Sequence, residues 1–114
     1  MPKVDDIAFA KLVSGDKVHR TTCLVYRDKV DGRWWRKSGM VFSPEDFADV
    51  IASGPEVVVL GVGIMNKVTV PAETVNLFKE KNISCEIMDS NAAMLRFNEL
   101  YAAGKAVVGA FHLM

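Results

Sequence analysis

The chain has 114 residues, half of them hydrophobic and a quarter charged. These proportions suit one compact domain over residues 1–114 and exclude disorder, collagen-like repeats and low-complexity arrays. Fourteen Lys/Arg and fourteen Asp/Glu cancel, so no global field draws nucleic acid or a membrane surface.

The balance hides an asymmetry. Residues 1–42 hold nine basic and five acidic side chains, 9 − 5 = +4, and residues 43–114 hold five and nine, 5 − 9 = −4. The texture changes at the same point. Short alternating runs come first: IAFAKLV, then KVHRTTCLVYR after Ser14-Gly15-Asp16, then GRWWRKSGMVF after Asp31-Gly32. Ser-Gly and Asp-Gly are turn formers because glycine accepts positive φ, and the runs predict an antiparallel β meander.

Helices and strands alternate from Ser43 onward. Ser43 suits an N-cap, Pro44 the first helical position, and Glu45 and Asp46 the positive end of the helix dipole. Phe47, Val50 and Ile51 form the apolar stripe, and Gly54 stops the helix. EVVVLG is a continuous β-branched run, as in a strand buried on both faces. Pro71 opens a second helix with Val75, Leu77 and Phe78 available to pack, and SCEIM follows as a strand. Ser90 suits the cap of a third helix carrying Met94, Phe97 and Tyr101 on one face, ended by Gly104. KAVVGAFHL is the last strand. The order predicts an α/β fold: a largely parallel or mixed central sheet between helices, with the meander extending it or folding over it.

Runs 57–60 and 106–113 are the longest apolar stretches and fall far short of the ~20 residues that span a bilayer. The N-terminus MPKVDDIAFAKLV lacks the basic-then-apolar order of a signal peptide, so a cytoplasmic location is expected. Cys23 and Cys85 stand in apolar stretches with no CxxC and no neighbouring His, and read as small buried hydrophobes, reduced and unpaired with each other. No metal site is expected.

GRWWRKSG, a Pro-started helix, VVVLGVGIMNKVTVP, a helix, IMDSNAAMLRFNEL and AVVGAFHL follow one another in an order that resembles the adipogenesis-associated Mth-like domain family. That family was long catalogued as a domain of unknown function and includes a mitochondrial assembly factor for respiratory complex I. The matching positions are Trp35, Arg36 and Gly39, then Gly61 and Gly63, the Phe97-Asn98 pair, and His112. The chain departs from the pattern where Met40 and Val41 replace a His that many relatives carry after that glycine, and in lacking a terminal Thr-Cys. The resemblance implies a three-layer α/β domain and supplies no catalytic reaction.

Two places carry possible chemistry. The loop 61–67 follows a buried strand, where open parallel sheets place ligands. Asn66 stands where a dinucleotide fingerprint needs its third glycine, and no Gly-Lys-Ser/Thr is present. The two glycines then serve a tight chain reversal, and the other reading is a small-anion site or enzyme centre built from Arg36, Gly61, Gly63, Lys67, Ser90 and His112. In Arg33-Trp34-Trp35-Arg36-Lys37 the two tryptophans of a strand must face opposite ways. With Trp35 inward, Trp34 and Arg36 form an outer interaction surface for protein, or remotely for single-stranded nucleic acid. Otherwise one Trp caps the core and the charges are solvated. His19 and His112 have no Ser or Cys beside them, and His112 suits a sheet-end ring bonded to a carbonyl. Asn98, a poor helix former, reads as a buried amide tying its helix to a neighbouring loop rather than as a ligand contact. The sequence as a whole favours a non-enzymatic protein-interaction or assembly-factor role. It needs no cofactor, and its partner is an unidentified protein, with a second copy of the chain also open.

Overall fold

The computed structural model describes residues 4–8, 11–15, 17–32, 34, 36, 40–65 and 67–113. Among the described residues, eight strands form two sheets. Strands β1 (Asp6–Ala8), β2 (Lys11–Ser14) and β3 (Lys17–His19) make an antiparallel meander. Strands β4 (Cys23–Val25), β5 (Val30–Asp31), β6 (Val57–Gly61), β7 (Ser84–Met88) and β8 (Val107–Phe111) make a mixed sheet in the order β5-β4-β8-β6-β7. β6 lies parallel to both β7 and β8, whereas β4 runs antiparallel to β8 and β5.

Helices cover both faces. A 3-10 turn at Pro44–Phe47 runs into α1 (Ala48–Ala52), α2 (Ala72–Glu80) leads into β7, and α3 (Ser90–Ala102) leads from β7 to β8. Period-2 alternation sorts the strand side chains between two cores. Leu24, Val58, Leu60, Val108 and Ala110 pack with Phe47, Val50 and Phe78 of the α1–α2 layer. Cys23, Val25, Val57, Val59, Val107 and Phe111 pack with Ala93, Phe97 and Leu100 of α3 and with Ile7 and Leu12 of the meander. The meander therefore folds over the α3 face, and the three layers are those expected. Val57–Gly61 is buried throughout, as its unbroken β-branched run predicts.

Several local expectations need correction. The segment IAFAKLV contributes to two strands that pair antiparallel, with Ile7 opposite Leu12, not to one run. KVHRTTCLVYR breaks between β3 and β4, so that β4 joins the large sheet. In the third expected run the described residues Gly32, Trp34 and Arg36 lie outside any strand, and β5 ends at Asp31. Trp35, Gly39, Asn66 and residues 33, 37 and 38 lie outside the described residues. The first helix opens as a 3-10 turn whose Asp46 carboxylate accepts the Ser43 N–H at 3.1 Å. Asp89, not Ser90, caps α3. Its carboxylate accepts the Ala92 N–H at 2.9 Å, which leaves the Ser90 hydroxyl to turn inward. On α2 the buried side chains are Thr74 and Phe78, while Val75 and Leu77 are half-buried. The Thr74 hydroxyl donates to the Phe42 carbonyl at 2.7 Å, which accounts for a polar side chain on the inner face. Asn98 does what its mid-helix position suggested. Its amide donates to the Val4 carbonyl at 2.7 Å and its oxygen accepts the Val4 N–H at 3.2 Å, fastening α3 to the start of the meander.

Candidate functional site

The carboxyl ends of β6, β7 and β8 meet the start of α3 in a closed set of hydrogen bonds. The Ser90 hydroxyl donates to the His112 carbonyl at 2.6 Å and accepts the Gly63 N–H at 3.0 Å. The Ser90 N–H donates to the Gly63 carbonyl at 3.0 Å, the His112 N–H to the Gly61 carbonyl at 3.0 Å, and the Val62 N–H to the Met88 carbonyl at 3.0 Å. Ser90 is fully buried. The glycines have separate duties. A side chain at Gly61 would put its Cβ 2.8 Å from the Ser90 oxygen, and Gly63 takes φ 117°, which L side chains rarely adopt. The chain then reverses, and the Val68 N–H closes the loop on the Val62 carbonyl at 2.9 Å.

This clasp engages several of the polar groups at the rim. The N–H groups of Val62, Gly63 and Val68 are engaged within the chain. The buried Ser90 hydroxyl has both a donor and an acceptor role within the chain. Of the six residues expected at the rim, the structure ties Gly61, Gly63, Ser90 and His112 directly together. Lys67 is exposed and stands outside these bonds.

His112 retains some chemistry of its own. Its ring is buried, and Nδ1 lies 3.0 Å from the hydroxyl of buried Thr22, not from a carbonyl as its position suggested. Nε2 is buried and has no hydrogen-bond partner among the described residues. Burial holds the ring's pKa below the usual histidine range, and the positive charge of Arg36 lowers it further, so the ring is neutral near pH 7. Thr22 was missed by sequence reasoning because it pairs with His112 across ninety positions of chain.

Trp34 corrects the expected outer surface. It is only 8% exposed and packs against Phe42 and Phe47, each at a ring separation of 5.3 Å. Its Nε1–H donates to the Asp46 carbonyl at 3.1 Å. The reason is the aromatic cluster beneath it, in which Phe42, Phe47 and Phe78 stack edge to face. Arg36 lies over the Trp34 ring at 5.5 Å and is half-buried. Burial lowers its pKa, and Asp46 opposes that shift.

The cysteines carry no activated thiol. Burial first, and the charge of Asp31 second, push Cys23 up to about 12, and burial with Glu86 pushes Cys85 up to about 11. Both stay protonated near neutrality. Cys23 is buried as expected, but Cys85 is only half-buried, because β7 is an edge strand. No cluster of three or more His, Cys, Asp or Glu suited to a metal occurs among the described residues. No helix among them is long and apolar enough to cross a membrane.

The same architecture recurs in solved structures. A protein of Bartonella henselae described as an outer membrane protein is 27% identical with a TM-score of 0.84, over 98% of this chain and 94% of that one. The conserved hypothetical protein PH1505 of Pyrococcus horikoshii OT3 is 15% identical with a TM-score of 0.86, over 98% of each chain. A Bordetella pertussis protein described as a Mth938-like domain is 18% identical with a TM-score of 0.67, over 98% of this chain and 85% of that one. The sequence profile of a family described as proteins of unknown function, DUF498/DUF598, matches residues 4–112. The chain therefore belongs to that DUF498/DUF598 family, and its three-layer fold is shared with the Mth938-like domain.

Proposed function

We propose that the chain is a non-enzymatic protein-interaction module, of the kind that serves assembly, and that it docks its partner on the rim beside the clasp. The carrying observation is the pair of exposed methionines there, Met40 at 45% and Met65 at 60% exposure. Met65 is on the turn closed by Val62 and Val68, and the Met40 carbonyl accepts the Thr69 N–H at 2.9 Å, so both belong to one end of the sheet. Methionine's unbranched, polarizable side chain adapts to a partner surface, which suits a contact site. The raised thiol pKa values and the committed Ser90 hydroxyl support the same reading. The test is a photo-crosslinking residue placed at Met65 in cells. A discrete protein adduct is expected, weakened about fivefold or more by Met40→Asp, as loss of an interface anchor weakens binding. No adduct, or one indifferent to Met40→Asp, overturns the proposal.

A second reading, a small-anion site, is favoured by one observation: the buried Nε2 of His112 under the influence of the Arg36 charge. Phosphate titration followed by the His112 ring resonances separates it from the first, since only anion binding moves them.

A further inference from the structure

The outer edge of β7 is matched to itself. In the parallel pair with β6, alternate residues of β7 turn their backbone groups inward. The Ser84 N–H donates to the Glu56 carbonyl at 3.1 Å, and the Met88 carbonyl accepts the Val62 N–H at 3.0 Å. Ser84, Glu86 and Met88 therefore bond to β6, and Cys85 and Ile87 point their N–H and C=O groups away from it. The sheet ends at β7, and no described strand pairs with that edge.

Natural edges are blunted by lysine, proline or bulges. β7 has none of these. Its register with β6 is unbroken over five residues, and its one charge, Glu86, is held by Arg96 through bonds of 2.7 and 3.1 Å. Ile87 is 44% exposed on the α2 side, next to half-buried Cys85.

We propose that β7 pairs antiparallel with β7 of a second copy, about a two-fold axis through Glu86, joining the two five-stranded sheets into one. Cys85 and Ile87 are placed symmetrically about Glu86, so each Cys85 faces the other copy's Ile87 and exchanges two bonds with it. Both outward residues of both chains are satisfied. A shift in either direction does not do this: the Ile83 N–H already donates to the Phe78 carbonyl at 2.9 Å, and the Asp89 carbonyl at the other end already accepts the Ala93 N–H at 2.9 Å. Side chains agree with the backbone. Ile87 covers the opposing Cys85 on one face. On the other, two Glu86 carboxylates face each other, each held by its own Arg96 guanidinium, which also reaches Glu99 at 3.6 Å, so the facing carboxylates are each paired with a cation. An isologous contact of this kind closes on itself and leaves no edge for further addition. The surface is distinct from the methionine rim.

Sedimentation velocity of the full chain at about 100 µM, with amide exchange measured on the same sample, tests the pairing. A dimer is expected, with the Cys85 and Ile87 amides protected and losing that protection on dilution. Ile87→Pro removes an outward donor and spares the bonds to β6, and Ile87→Lys sets two like charges near the axis. Each is expected to weaken association by about tenfold or more while leaving the far-ultraviolet circular dichroism unchanged. Ile87→Lys decides the matter if the proline variant fails to fold. A chain monomeric at that concentration, a dimer indifferent to Ile87→Lys, or a dimer whose Cys85 and Ile87 amides exchange freely overturns the proposal.

Discussion

Replacing Trp34 with Ala is expected to cost about 3–5 kcal/mol, the range for deleting a buried aromatic side chain. The indole is 8% exposed and fills the space between Phe42 and Phe47. Truncation removes that packing, leaves a cavity above the Phe47–Phe78 pair, and takes away the donor to the Asp46 carbonyl. At about 4 °C per kcal/mol for a domain of this length, the thermal midpoint should fall by about 12–20 °C. Urea titration of both proteins gives the free energy directly. A loss below about 1 kcal/mol would mean a surface indole and would restore Trp34 as a contact residue.

Ser90→Ala should be the most costly single-atom deletion at the rim. It leaves the Gly63 N–H without its acceptor and the His112 carbonyl without its donor, both inside the fold. With each of the two buried polar groups left unpaired costing ~1–3 kcal/mol, the variant is expected to lose about 2–6 kcal/mol. Ser90→Cys is no rescue, because the larger sulfur must fit where the backbone of Gly61 already approaches closely. A serine kept for catalysis behaves in the opposite way: its replacement by Ala abolishes turnover and leaves the denaturation midpoint unchanged. Denaturation of the Ala variant therefore discriminates between clasp and nucleophile.

The sequence carried the architecture through features that act locally. Pro44, Pro71, Gly54 and Gly104 mark helix ends by backbone geometry alone, and Gly54 and Gly104 do take positive φ. The β-branched run of β6 betrays burial on both faces, since no polar residue interrupts it. The misreadings come from contacts distant in the chain. Whether Trp34 faces in or out depends on Phe42, Phe47 and Phe78 arriving beneath it, and alternation carries no information once the backbone leaves the strand. The identity of the α3 cap turned on a competition between adjacent residues. Asp89 and Ser90 both have capping side chains, and Ser90 was drawn instead to a strand end twenty-two positions away. At the rim the residue types were legible but their roles were not. Gly61, Gly63, Ser90 and His112 do come together, yet their polar groups serve one another. The Thr22–His112 bond had no local signal at all.

Native-state hydrogen exchange at the Gly63 amide tests the clasp most directly. An amide buried against the Ser90 oxygen should open only with the sheet, so its exchange should report a free energy close to that of global unfolding, like the amides in the middle of β6. In Ser90→Ala the same amide should lose most of that protection relative to β6. Exchange of Gly63 in the wild type at rates typical of an open surface loop, with β6 still protected, would contradict the clasp.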